Sequence, residues 1–102
     1  MGHKGWVYCL FLNKELLFSG GDDRAVRIWD LNTTICLDNL TAHRNGVTSI
    51  VICAKKLITG GFDHYVISYD LDEVMERVNE KKMMREEDIL SRKMEVYYRH
   101  LV

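Results

Sequence analysis

The 102-residue chain has no proline, only three cysteines, no long apolar run and almost no excess of charge, its formal net value being −1. Each scarcity excludes something. Cys9, Cys36 and Cys53 are odd in number and widely spaced, whereas a disulfide framework is denser and even, so free thiols in a reducing compartment are the better reading. No Cys-x-x-Cys pair or His/Cys cluster has zinc spacing. The apolar stretch from Trp6 to Leu12 is far shorter than the roughly 20 residues of a membrane-spanning helix. No apolar h-region of a secretory signal follows the first residues. With 14 basic and 15 acidic residues there is no general attraction to nucleic acid or to an anionic membrane. What remains is 47% hydrophobic, enough apolar material for one ordinary soluble domain.

The chain repeats itself at an offset of 40 residues, without a gap. His3 answers to His43, Val7 to Val47, Leu10 to Ile50 and Leu12 to Ile52. Further along, Leu17 answers to Leu57, Ser19 to Thr59, Gly20-Gly21 to Gly60-Gly61, Asp23 to Asp63, Val26 to Val66, Trp29 to Tyr69 and Asp30-Leu31 to Asp70-Leu71. Within each unit the apolar period is two, which is the period of a strand. Runs at 7–12, 16–18 and 25–31 are answered at 47–52, 57–58 and 65–71, with Gly-Gly-Asp-Asp and Gly-Gly-Phe-Asp as hairpin punctuation. A fourth run, 34–40, completes the first unit only. After Asp70-Leu71 the second unit gives way to charge.

These residues resemble the WD-repeat family of β-propellers. The likeness rests on Gly2-His3 and Ala42-His43 at the unit starts, the two glycine-rich turns, and Trp29-Asp30 and Tyr69-Asp70 at the unit ends. It covers residues 2–71 and implies an all-β fold: two four-stranded antiparallel blades, the second without its outer strand, followed by a C-terminal helix. The expected divisions are 2–41 for the first repeat, 42–71 for the incomplete second and 72–102 for a charged helical segment.

The resemblance also implies hydrogen-bonded tetrads that tie each blade together, His3, Ser19, Asp23 and Trp29 in the first and His43, Thr59, Asp63 and Tyr69 in the second. A recurring histidine, hydroxyl and aspartate could be read as a catalytic relay. Repetition argues against that, since an active site is needed once and a blade staple in every blade. Tyr69 in place of tryptophan predicts a looser second staple, because a phenol places its hydroxyl elsewhere than an indole places its N–H. Ser68 in place of Ile28 predicts a weakened inward position.

Two blades are fewer than the four to eight of a closed propeller, and the unit starts at the chain's first residues. The chain therefore reads as a fragment of a larger propeller, with two apolar sheet faces and an unpaired edge open to β-augmentation.

Residues 72–102 carry eight acids and seven bases and no glycine. Asp70 is placed to cap a helix, with Glu73 reaching back to it. Val74 and Val78 share one face, Glu73/Arg77 and Asp88/Arg92 are pairs of opposite sign four apart, and Leu90, Met94, Tyr97 and Leu101 form a further stripe. The favoured reading is a helix packed on the propeller rim. A partner-binding or coiled-coil segment is the alternative, and Val96-Tyr97-Tyr98 could also open a strand.

No catalytic constellation emerges: Gly-Gly-Asp-Asp lacks the lysine of a phosphate loop, and neither cofactor nor metal is expected. The function implied by the resemblance is a non-catalytic protein–protein interaction scaffold in the cytoplasm or nucleus, contacting other proteins through the rim or the exposed blade edge. Trp6, Arg24, Arg44 and His64 are the candidate contact residues. Asn32 and Asp72 stand two places after the Trp-Asp and Tyr-Asp pairs, where ubiquitin-ligase adaptors of this family carry a basic residue, which argues against an adaptor. The alternatives are an RNA-associated propeller module, disfavoured by charge, and a truncated product with no function of its own.

Overall fold

Alternating apolar residues closed by glycine-rich turns give seven strands, β1 (Val7–Asn13), β2 (Leu16–Gly21), β3 (Val26–Asp30), β4 (Ile35–Leu40), β5 (Val47–Cys53), β6 (Lys56–Gly61) and β7 (Val66–Asp70). A helix, α1, follows over residues 71–83. They are seen in a computed structural model that describes residues 4–41 and 43–83. His3, Ala42, the Leu90–Leu101 stripe and the Val96-Tyr97-Tyr98 cluster lie outside the described residues. The strands form two antiparallel sheets in chain order, β1-β2-β3-β4 and β5-β6-β7.

The repeat seen in the sequence is a repeat of hydrogen bonds. Asp22 N donates to Trp6 O at 2.8 Å, and forty residues on Phe62 N donates to Gly46 O at 2.9 Å. Leu31 N to Glu15 O and Leu71 N to Lys55 O are both 3.0 Å. The turns even share their unusual backbone: Arg24 (φ 69°) and His64 (φ 67°) occupy the same left-handed position.

Strand alternation gives each blade two faces. The front face of blade 1, with Cys9, Phe11, Leu16, Phe18, Val26 and Ile28, packs on the rear face of blade 2, with Ile50, Ile52, Leu57 and Tyr69, in one continuous core. Gly20 is the point of closest approach. A Cβ there would lie 2.7 Å from both Cys9 Sγ and Val47 Cγ1. In β4 the register slips between Cys36 and Asp38, and Leu37 joins the core while Asp38 is also buried.

Helix α1 starts where Asp70 caps it, Oδ1 accepting Asp72 N–H at 2.9 Å. Asp30 makes the equivalent bond to Asn32 N, at 3.0 Å, but there the chain turns. Val74 and Val78 are buried in the core shared with blade 1, and a cleft of about 500 Å³ separates α1 from the β1–β2 turn. The helix thus lies against the sheet of blade 1 rather than only along a rim. Arg77, expected to pair with Glu73 on its own helix, instead reaches the buried Asp38 of β4, 3.2 Å away. Lys81 Nζ donates to Asp38 Oδ1 at 2.6 Å. Among the described residues Asp38 Oδ2 accepts no well-aligned hydrogen bond and meets Arg77 only as an ion-pair contact. Lys82 sits 3.9 Å from Asp30.

Ser68 requires a correction. It occupies the front face of blade 2, which no described element covers, so it is exposed rather than inward. Serine there weakens no packed position among the described residues.

Candidate protein-interaction surface

The polar residues that repeat are tied to the loops at one end of the blades. In blade 2 the His43 ring bridges two elements. Its Nδ1 lies 3.0 and 3.1 Å from the Asp63 oxygens, and its Nε2 lies 2.8 Å from Thr59 Oγ1. The carboxylate has no proton to give, so Nδ1 donates to it. Asp63 also accepts the N–H groups of Arg44 (3.0 Å) and Tyr65 (3.2 Å). Burial alone would raise the Asp63 pKa, but the Arg44 N–H, the His43 ring and the Tyr65 N–H outweigh it and hold the group at about 2. Among the described residues the buried Tyr69 hydroxyl has no hydrogen-bond partner, so there the chain of bonds ends at Thr59, and burial raises that phenol's pKa.

In blade 1 the indole of Trp29 donates to Ser19 Oγ at 2.8 Å. Asp23 accepts Lys4 N–H at 3.3 Å, the counterpart of Arg44 N–H at Asp63. Arg27 adds something blade 2 lacks at Ile67, its Nη2 donating to Asp23 Oδ2 at 3.1 Å. Sequence reasoning passed over Arg27; its spacing of four from Asp23 was the available signal.

These bonds fix the loops that present Trp6, Arg24, Arg44 and His64, all four of them exposed. Trp6 is 78% exposed. Two further aromatics join them. Tyr8 of β1 and Phe62 of the β6–β7 turn meet edge to face across the blade junction, with centroids 5.5 Å apart and planes at 87°. Tyr8 also donates to Asp22 Oδ1 at 3.2 Å, the residue whose N–H holds Trp6 O, and burial, with that carboxylate beside it, raises the phenol's pKa. Gly46 leaves room for this pair, since a Cβ there would come within 3.0 Å of Tyr8 and 3.3 Å of Phe62. Neither aromatic was singled out from sequence. The signal was the break in the repeat, Phe62 standing where Asp22 stands and Tyr8 where Thr48 does.

The model of the WD domain, G-beta repeat, matches residues 1–30 and 34–70. The chain belongs to the WD-repeat family. Over 99% of its length it is 29% identical to a WD repeat-containing protein 53 homologue of Dictyostelium discoideum, and it spans 29% of that relative. It is 35% identical over 72 residues to the nuclear distribution protein PAC1 of Saccharomyces cerevisiae, spanning 15% of it. The chain therefore covers less than a third of these relatives' length. The crystal structure of the computationally designed Ika4 protein superposes with a TM-score of 0.63 at 24% identity, over 69% of this chain and 44% of that one. The designed Ika8 protein gives 0.61 at 25% identity, over 68% and 22%. The WD repeats here thus form propeller-like blades, and WD-repeat relatives point to a protein-interaction scaffold in general terms. Among the described residues no helix is long and apolar enough to cross a membrane.

Proposed function

We propose that this pair of WD repeats is a non-catalytic protein-interaction module of a larger propeller, and that it holds a protein partner at the rim carrying Trp6, Tyr8 and Phe62. The observation that carries this reading is the aromatic pair across the blade junction, Tyr8 against Phe62, beside an indole left open to solvent. Aromatic side chains offer large contact area at little conformational entropy and dominate interface energetics. Arg24, Arg44 and His64 supply a polar surround, and the backbone that carries them is pinned by Asp23 and Asp63. The free thiols of Cys9, Cys36 and Cys53 support a reducing intracellular setting, cytoplasm or nucleus.

The test is quantitative affinity capture from extract of the source cells with the wild-type chain and with Trp6→Ala and Phe62→Ala. A specific protein partner should be retained roughly tenfold less by each variant. Unchanged capture by both folded variants would overturn the rim reading. A single-stranded RNA probe, titrated at rising salt, separates the RNA-associated alternative, because phosphate contacts make binding fall steeply with salt.

A further inference from the structure

Blade 1 carries two carboxylates on a front face that is otherwise mostly apolar. The register aligns Phe11, Phe18, Ile28 and Asp38 in one row across it, and pairs Leu16 with Asp30 in the next. The side chains of Asp38 and Asp30 are only 2% and 3% exposed. A buried carboxylate is costly unless a cation is brought to it, so it selects what may lie against it. Here the cover is α1. Its bases Arg77 and Lys81 reach Asp38, Lys82 lies 3.9 Å from Asp30, and Val74 and Val78 supply the apolar contact. Two apolar residues four apart, with bases at the third, seventh and eighth places after the first, are the pattern of an amphipathic helix seated in a groove.

Three observations set α1 apart from a permanent part of the blade. The Arg77, Lys81 and Lys82 side chains are 56%, 46% and 35% exposed, so the polar ties lie at the margin of the groove, where water can replace them. The apolar seat is not filled. A cleft of about 500 Å³, lined by Leu16, Leu71, Met75 and Val78 among others, separates the helix from the β1–β2 turn, whereas packed interiors leave few voids larger than a water. The hinge also admits more than one exit: Asp70 and Asp30 make the same cap bond, at 2.9 and 3.0 Å, and the first leads into a helix but the second into a turn. We propose that the outer front of blade 1 is a helix-receiving groove, that α1 is its tethered occupant, and that a basic amphipathic helix of a partner protein, bulkier than α1 at the places of Met75 and Val78, displaces it. The charge of Asp30 and Asp38 fixes the sign of that helix, and the unfilled cleft fixes its bulk. The groove uses none of Trp6, Tyr8 and Phe62, so the rim reading can fail while this one stands.

The test uses the full chain and a labelled synthetic peptide with the sequence of residues 70–83 altered by Met75→Phe and Val78→Leu. Glu73 and Glu76 are exposed on α1, so Glu73→Gly with Glu76→Gly weakens the helix and leaves both sheets untouched. In fluorescence anisotropy the peptide should bind this variant roughly tenfold more tightly than it binds the wild-type chain, because the groove is then less often occupied. The same peptide with Arg77→Glu and Lys81→Glu should bind at least tenfold more weakly. Methyl spectra of the isotope-labelled chain should show Val74 and Val78 leaving their buried positions as unlabelled peptide is added, with Val47 unmoved. No binding to the folded glycine variant, equal binding of the charge-reversed peptide, or binding that leaves Val78 in place would overturn the proposal. A dimer of the glycine variant that excludes the peptide would overturn it too, since a second copy of this chain would then be the occupant.

Discussion

Lys81 on α1 donates from Nζ to Oδ1 of Asp38 on β4 at 2.6 Å, joining the last described element to the outer strand of the first blade. The Asp38 side chain is 2% exposed, whereas Arg77 and Lys81 are about half in water. That imbalance sets the direction of the expected effects. Removing both cations, Arg77→Ala with Lys81→Ala, strands a buried carboxylate, with only the Asn39 N–H still donating to it, and should destabilise the fold by about 3 kcal/mol. Asp38→Ala frees two side chains to return to solvent and should destabilise by less, about 1–2 kcal/mol. Urea titrations of the two variants measure the difference.

Tyr69 and Thr59 give a second expectation. A buried hydroxyl with no partner is unfavourable, so Tyr69→Phe should be neutral or stabilising by about 1 kcal/mol. Trp29→Phe, which removes a made bond to Ser19, should destabilise by about 1–2 kcal/mol. Thermal melts of the pair would show opposite signs.

Asp63 predicts a pH dependence. Its folded pKa of about 2 lies below the ordinary 3.8, so the unfolded chain binds more protons between those values. The stability it contributes is complete above the ordinary value and disappears as pH falls through about 2. Melting temperature should therefore drop across that window, and more shallowly in Asp63→Asn. Equal slopes for the two proteins would remove Asp63 as the cause.

Gly20 tests the junction between the blades. A methyl there meets Cys9 Sγ and Val47 Cγ1 at 2.7 Å, and neither is the loose end of a long side chain. Gly20→Ala should destabilise by about 1–3 kcal/mol, seen in the same urea titrations, despite the usual benefit of replacing glycine.

The strands, the turns and the pairing of the two units were legible because apolar alternation and the Gly-Gly-Asp punctuation act locally. The Trp29–Ser19 and His43–Thr59 bonds are ones that the resemblance to the WD-repeat family implied, not ones that the repeat alone dictates. Asp38 was not legible. An aspartate in an outer strand reads as solvated, and its burial depends on the slip at Leu37 and on cations 39 and 43 residues away. Tyr8 and Phe62 meet only because the two sheets stack, which no pattern within a single unit encodes. Ser68 is expected inside because its counterpart Ile28 is buried; whether a neighbouring element covers that face decides the matter, and that belongs to tertiary arrangement.

The central claim is that the front of blade 1 is packed directly on blade 2. Isotope-edited nuclear Overhauser spectroscopy of the full chain tests it at one contact. A strong cross-peak is expected between the Gly20 α-protons and the Val47 γ1 methyl, which the structure holds in van der Waals contact. A folded chain with assigned β-strand shifts at both residues and no such cross-peak would contradict the stacked arrangement.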